Sequence, residues 1–266
     1  MRNLSLSLAL AVLCVPVLPG WGPEGHEIVA NIALHYLTPA ARARLAAILQ
    51  TDAASVNLAQ IANWADQIRP TRPETAPWHF VDIPLKRKVF DASVDCKGDN
   101  CVVAQLTSEI GALKNSQTPS DLETLKFLVH FMGDIHQPLH CADNNDRGGN
   151  NVHVRFLDLH MNLHKVWDSG LLDQLVDEEQ LTADLINQIT PDDKDKWSAG
   201  TPETWAVESH TFAVSPAYAL VPARHGRPLP VLDEDYETAA DPVVSTQLQK
   251  AGVRLAMILN QIAGSN

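Results

Sequence analysis

The 266-residue chain has no internal repeat and no low-complexity run, which excludes a stacked solenoid and a disordered polar chain. It also lacks a basic excess. Lys and Arg number 20 against 32 Asp and Glu, and once Arg2 leaves with the N-terminal segment the balance is 19 against 32, a formal −13. Such a charge argues against sliding on duplex DNA through a basic face. Phosphate substrates are not excluded, because bound divalent ions reverse the local sign of a cleft. After residue 21 no Asn-x-Ser/Thr sequon is present, so bacterial-type export fits better than a eukaryotic secretory route. Cysteine is scarce too, with four residues. The apolar run Leu4 to Leu18 behind Arg2 is too short to span a bilayer and stay, and has the length and charge order of a signal peptide over 1–20. Cleavage after Gly20 would remove Cys14, give a secreted or periplasmic protein without stable membrane association, and leave 21–266 as a single domain. In an oxidising compartment Cys96 and Cys101, which frame the polar loop 97–100, are expected to pair. Cys141 is left over, either as a buried structural residue, the favoured reading, or as an extra metal ligand.

The chain is organised around the stretch His130 to His140, which concentrates His130, Asp134, His136 and His140 at the end of an apolar helix. Thr118 as N-cap, Pro119 at the first helical position and Asp121 in the first turn predict its start. At about 1.5 Å rise and about 100° per residue, His130 and Asp134 stack one turn apart, where an imidazole and a carboxylate can grip the same ion. Pro138 ends the helix and turns His140 back toward that face. The same grammar recurs as His164 and Asp168. One His-x3-Asp pair is more often a surface ion pair or a core histidine; two pairs together with His140 point to metal.

Helices are expected from Gly25, with Ile28, Ile32 and Leu37 inward, from Thr38-Pro39, across 57–69, and over 102–115, 162–176, 179–189, 202–213 and 243–263. Residues 78–84 read as extended and 224–241 as a surface loop. A turn-rich loop, 143–150, precedes the alternating segment 151–156, a strand or hairpin. The expected fold class is all-α with a small β-hairpin or strand element.

Imidazoles and carboxylates without paired thiolates suit Zn²⁺ at a catalytic site. The candidates, His26, Asp66, His79, His130, Asp134, His140, His164 and Asp168, are too many for one ion and enough for two or three that share a carboxylate.

These residues stand in motifs that together resemble the S1/P1 nuclease family over nearly all of the mature chain. The motifs are Trp21-Gly22 at a processed N-terminus, Trp64-Ala65-Asp66, Trp78-His79-Phe80, Gly133 to His140, Gly148-Gly149-Asn150 and Asn162-Leu163-His164 with Asp168. The resemblance implies a mainly helical, phospholipase C/P1 nuclease-like fold and three Zn²⁺. One is expected at Asp66, His79, His130 and Asp134; a second at the Trp21 amine and carbonyl, His26 and a bridging Asp134; a third at His140, His164 and Asp168. It implies that Asp66 orients and deprotonates the attacking water and that Asn150 donates to the phosphate. Arg69 stands where relatives may carry Lys and keeps the charge with a different geometry. Phe80 and Asp82 resemble a base-binding pair, an aromatic face and an acceptor, against the plain alternative of a core Phe and a surface Asp. The implied substrates are single-stranded RNA and DNA and nucleotides, cut to 5′-phosphorylated products, by a monomer.

His136 reads as a residue behind the ligands rather than one of them, and His35, His153, His160, His210 and His225 as structural or solvent histidines. Two rivals remain. A zinc-dependent phospholipase C shares the general pattern but ends its last pair in Glu, where this chain has Asp168. A non-catalytic zinc-binding protein would not need Asp66, Asn150 and Arg69.

Overall fold

A computed structural model describes residues 21–116, 121–173, 177–224, 226 and 228–264, so the expected signal peptide and the Thr118-Pro119 helix start lie outside the described residues. The chain forms α1 (Pro23–His35), α2 (Pro39–Leu49), α3 (Ala59–Ala62), α4 (Trp64–Ile68), a 3-10 segment Pro73–His79, α5 (Ala92–Asp95), α6 (Val102–Asn115) and α7 (Leu122–Asp134). A 3-10 turn Pro138–Cys141 follows, then β1 (His153–Phe156), β2 (Leu159–Asn162) and α8 (Leu163–Lys165), which widens into a π turn over Val166–Gly170. Next come α9 (Glu178–Gln188), α10 (Pro191–Trp197), α11 (Pro202–Phe212), β3 (Val231–Leu232) and α12 (Glu234–Gly264). The fold is mainly helical with one small sheet, as the sequence predicts.

The core is built on α1, α7 and α12. In α7, Leu125, Leu128, Val129, Phe131 and Met132 are all buried. Each such side chain contributes roughly 1.5–3 kcal/mol on burial, enough together to carry His130 and Asp134, which the same helix also takes out of water. Behind the helix end, Gln247 on α12 donates to His136 O and Ser209 Oγ. Arg254, also on α12, holds Glu208 at 2.7 Å and donates to His136 Nε2 at 2.8 Å.

Several expectations need correction. The segment 57–69 is two short helices, because Asn63 (φ −96°, ψ 0°) breaks the pattern and sends its side chain to Glu27 Oε1 at 2.8 Å. The prolines after it do not simply leave extended chain: Pro73–His79 winds as a 3-10 helix and only Phe80 onward is extended. Of the expected helix 162–176, residues 174–176 lie outside the described residues and the rest is the short α8 with its π turn. A helix over 191–197 was not foreseen.

Residues 234–241 are helical rather than loop, and Pro242 sits inside α12. A proline there forfeits one backbone bond and crowds the preceding turn. Tertiary anchoring outweighs this: buried Tyr236 accepts from Trp167 Nε1 at 2.7 Å and donates to Ala217 O at 3.0 Å.

The sheet has order β2-β1-β3, with β1 and β2 antiparallel and β3 parallel to β1. The hairpin turn places Leu157 and Asp158 at φ 47° and 62°, the left-handed pair that matches strand twist. The predicted Cys96–Cys101 disulfide is present, with Cα atoms 5.2 Å apart. Among the described residues no helix is long and apolar enough to cross a membrane.

Candidate metal centre

Seven short elements deliver the predicted ligands to one buried place. His26 comes from α1, Asp66 from α4, His79 from the end of the 3-10 segment, and His130 and Asp134 from α7. His140 comes from the 3-10 turn after α7, His164 from α8 and Asp168 from its π turn. The i, i+4 spacing acts as expected. His130 Nε2 lies 3.2 Å from Asp134 Oδ2, and His164 Nε2 lies 3.5 Å from Asp168 Oδ2.

Three groups of donors could each hold an ion: His79, His130 and Asp134; His26, Asp66 and His130; and His140, His164 and Asp168, with donor atoms inside each group within 4.8 Å of one another. Asp134 stands between them. Its Oδ2 faces His79 Nδ1 at 2.9 Å and His130 Nε2, while its Oδ1 faces His26 Nε2 at 3.5 Å and His140 Nδ1 at 3.3 Å. One oxygen toward each side is the geometry a bridging carboxylate needs.

His26 reaches this place because position 133 on α7 is glycine: a Cβ there would sit 2.6 Å from His26 Nδ1. The His26 ring then stacks on His130 with centroids 3.9 Å apart and an interplanar angle of 12°. Trp21 is wholly buried, and the Gly22 N–H donates to the Asp168 carbonyl at 2.7 Å, so the Trp21-Gly22 segment is tied beside the third group.

Backbone carbonyls fix the imidazoles from behind. His130 Nδ1–H donates to Ala62 O at 2.6 Å, His140 Nδ1–H to His79 O at 2.8 Å and His164 Nδ1–H to Gly148 O at 2.7 Å. Each contact turns Nε2 inward, the support typical of metal-binding histidines. Several inward atoms are buried and have no hydrogen-bond partner: both His26 nitrogens, His79 Nε2, Asp134 Oδ1, His140 Nε2 and Asp168 Oδ2. Leaving one such atom unsatisfied costs about 1–3 kcal/mol. A cluster of them, all nitrogen or carboxylate oxygen, fits Zn²⁺ or a similar divalent ion.

The electrostatics agree. Burial pushes His26 and His164 down to about 3, and lowers His79 and His140, so these rings stay neutral at ordinary pH and keep lone pairs for a metal. Burial also opposes a charged His130, but Asp134 and Asp66 outweigh it and raise its pKa to about 9. Asp134 is held well below the carboxylate range by His130 and His140 in spite of its burial. Asp168 is pushed well above that range by burial, with Asp134 and Asp66 adding to the shift. A divalent cation reverses that preference.

The centre opens on a cleft of about 200 Å³ whose wall includes Arg69, Phe80, Asp82, Asn150 and Arg147. Arg69 donates from Nη1 to Asp66 Oδ1 at 2.9 Å. Asn150 donates from Nδ2 to Arg147 O at 2.9 Å. Phe80 is partly exposed, on an extended segment tied down by Val81 N–H to His140 O at 2.8 Å. Asp82 reaches the cleft mouth, and the enclosing wall together with Asp143 and Asp95 raises its carboxyl to about 6.

His136 sits behind the ligands, donating from Nδ1 to Met132 O at 2.7 Å, and Cys141 is a buried thiol donating to Ile135 O. Sequence reasoning passed over Gln137, which donates to Asp168 Oδ1 at 2.5 Å, and Arg147 at the cleft. Position inside the organising motif was the available signal for Gln137; Arg147 had only its place in the turn-rich loop.

A family description, S1/P1 Nuclease, matches residues 21–264. Nuclease P1 from Penicillium citrinum is 33% identical over 268 residues, covering 92% of this chain and 98% of its own length. Nuclease S1 from Aspergillus oryzae is 31% identical, covering 97% and 95%. Endonuclease 4 from Arabidopsis thaliana is 32% identical, covering 92% and 90%. With its ligand motifs converging on one buried centre and this likeness spanning residues 21–264, the chain belongs to the S1/P1 nuclease family and is a hydrolytic nuclease.

Proposed function

We propose that the protein is a secreted, monomeric phosphodiesterase that uses three Zn²⁺ to cleave single-stranded RNA and DNA to 5′-phosphorylated products, possessing 3′-nucleotidase activity where the substrate ends in a 3′-phosphate. The observation that carries this reading is the pairing of Asp134, one oxygen toward each side of the centre, with an Asp66 tethered to Arg69 of the cleft wall. His79, His130, Asp66 and Asp134 would hold one ion, the Trp21 amine and carbonyl with His26 and Asp134 a second, and His140, His164 and Asp168 a third. Bound zinc supplies Lewis acidity, lowering the pKa of water and neutralising charge on phosphate oxygens.

The chain's own groups do the rest. Asp66 accepts the proton of the attacking water, and its Oδ1 is fixed for this by Arg69. Arg69 adds a fixed positive charge at the cleft wall, and the Asn150 amide, held by its bond to Arg147 O, offers its second N–H to a phosphate oxygen. Phe80 offers a face for stacking and Asp82 an acceptor for a base edge. A zinc-storage role would need neither Asp66 tethered by Arg69 nor a cleft with an aromatic wall.

The test measures zinc per chain together with product release from single-stranded RNA, single-stranded DNA and phosphatidylcholine, before and after chelation. Zinc-dependent release of 5′-phosphorylated nucleotides is expected. Faster hydrolysis of the lipid, or full zinc content with no hydrolysis of any substrate, would overturn the proposal.

A further inference from the structure

The metal cleft does not end at Arg147 and Asn150. Both residues also line a larger groove of about 610 Å³, which continues over the β1–β2 hairpin past His153, His160 and Lys165 to Arg224. Among the described residues no carboxylate lines it. On a chain with 32 acids and 20 bases, a wall with three cations and no acid is a local reversal of the overall charge.

The cations of this wall are not taken up by carboxylates, unlike five others in the protein. Arg69, Arg72, Arg87, Lys250 and Arg254 each hold a carboxylate in an ion pair. Arg147, Lys165 and Arg224 enter no such pair within 4.0 Å among the described residues; Asp173 interacts with Lys165 only through longer-range charge.

The acids nearest in sequence are directed elsewhere. Asp143 Oδ1 accepts the N–H groups of Asp146 and Gly148, each at 3.1 Å, and Asp146 Oδ1 accepts Gly149 N–H at 2.8 Å and the Tyr218 hydroxyl at 2.7 Å. These bonds brace the loop that holds Arg147 at φ 60°, a left-handed conformation a non-glycine residue keeps only when its surroundings enforce it. The loop also supplies the Gly148 carbonyl that orients His164. Groove and metal centre are therefore built on one rigid loop.

We infer that this groove is an extended subsite for the phosphodiester backbone of a single-stranded polynucleotide, taking the phosphates of nucleotides beyond the one bound over the metal centre. The inference rests on the nuclease reading of that centre. Arg147 would meet the phosphate next to the scissile one, and Lys165 and Arg224 the phosphates after it. The imidazole faces of His153 and His160 offer sequence-tolerant stacking surfaces along the way. A dinucleotide, with a single phosphate, fills only the metal cleft, so the groove contributes to longer substrates alone.

The experiment compares kcat/KM for thymidine dinucleotide and octathymidylate in the mature zinc-loaded protein and in the double variant Lys165→Glu/Arg224→Glu. Zinc content is measured in parallel, because Lys165 neighbours His164. Binding of a phosphorothioate octathymidylate, which resists cleavage, is followed against salt concentration. The octamer-to-dimer ratio of kcat/KM should fall about tenfold in the variant, and the slope of log K against log salt should become shallower by about 1.4, two lost contacts at about 0.7 each for a single strand. If charge reversal lowers the zinc count, Lys165→Gln with Arg224→Gln repeats the comparison without an added negative charge. An unchanged ratio and an unchanged slope in a fully zinc-loaded variant overturn the inference. Should the wild type cleave neither substrate, the nuclease reading fails, and the binding slope decides the groove by itself.

Discussion

Gly133→Ala separates the packing of the metal centre from its chemistry, since it removes no ligand. In an exposed helix interior, replacing glycine by alanine stabilises by about 1 kcal/mol. At position 133 the added methyl would stand 2.6 Å from His26 Nδ1 and 2.9 Å from His26 Cε1. Ordinary van der Waals contact begins at 3.4 Å, so the ring must move by about 0.8 Å. It has little room to do so, because the ring stacks on His130 at 3.9 Å. Overpacking of this kind costs about 1–3 kcal/mol, which cancels or exceeds the helical gain. Metal–ligand distances hold within about 0.2 Å, so a displacement several times larger should detach His26 from its ion. Gly111 on α6 is the control, with no atom within 4 Å of its virtual Cβ. Metal content by mass spectrometry and thermal melts with and without chelator should show Gly111→Ala fully loaded and more stable. Gly133→Ala should be short of one ion and no more stable than wild type. If Gly133→Ala binds as much metal as wild type and melts as high as Gly111→Ala, the close packing of His26 on α7 is not what shapes that position.

Asp134→Asn should remove more metal than Asp168→Asn, because one carboxylate faces two donor groups and the other faces one; equal metal counts would mean that Asp134 does not bridge. A glycine added before Trp21 should cost one ion and most of the activity if the free amine is a ligand, and equal loading would refute that role. Asp82→Asn should raise the melting temperature at pH 7.5 and leave it unchanged near pH 3.5. The sign follows from a folded-state pKa of about 6 above the ordinary carboxyl value of 3.8: the penalty is absent below 3.8 and complete above 6, so a uniform shift at both pH values would contradict it. Phe80→Ala should lower turnover of single strands about ten- to hundredfold with metal content unchanged, and wild-type rates would make Phe80 a packing residue.

How much of this was legible in the sequence depends on whether local geometry or tertiary contact decided each feature. The pairs His130–Asp134 and His164–Asp168 were readable because helix geometry alone puts i and i+4 on one face. His26, Asp66 and His79 lie in sequence far from those pairs, and only the family motifs gathered them before the fold did. The carbonyls of Ala62, His79 and Gly148 were invisible, since every residue has one and nothing in a side chain marks which will face an imidazole. The expected loop over 224–241 misled for the opposite reason. Its prolines, glycine and acids favour a loop locally, but Tyr236, held by Trp167 and Ala217, keeps residues 234–241 helical. The strand β3 has two residues, too few for alternation to register.

Arg147 raises a broader point about an acidic protein that acts on a polyanion. At physiological salt, charges farther apart than about 8 Å scarcely interact, so the chain's overall −12 does not cancel a cation lining a groove. It does act on a ligand too wide for the groove. Duplex DNA carries one charge per about 1.7 Å of its axis and would lay much of that array against the acidic surround. A single strand can confine its phosphates to the groove and turn a base toward Phe80. If Arg147, Lys165 and Arg224 form a backbone track, preference for single strands follows from two terms: attraction inside the groove and repulsion outside it. The two have opposite salt dependence. Raising salt should weaken single-strand binding while relieving the repulsion of duplexes, so discrimination between the two forms should narrow as salt rises. A gap that stays constant from 50 to about 200 mM salt would assign the preference to base stacking alone.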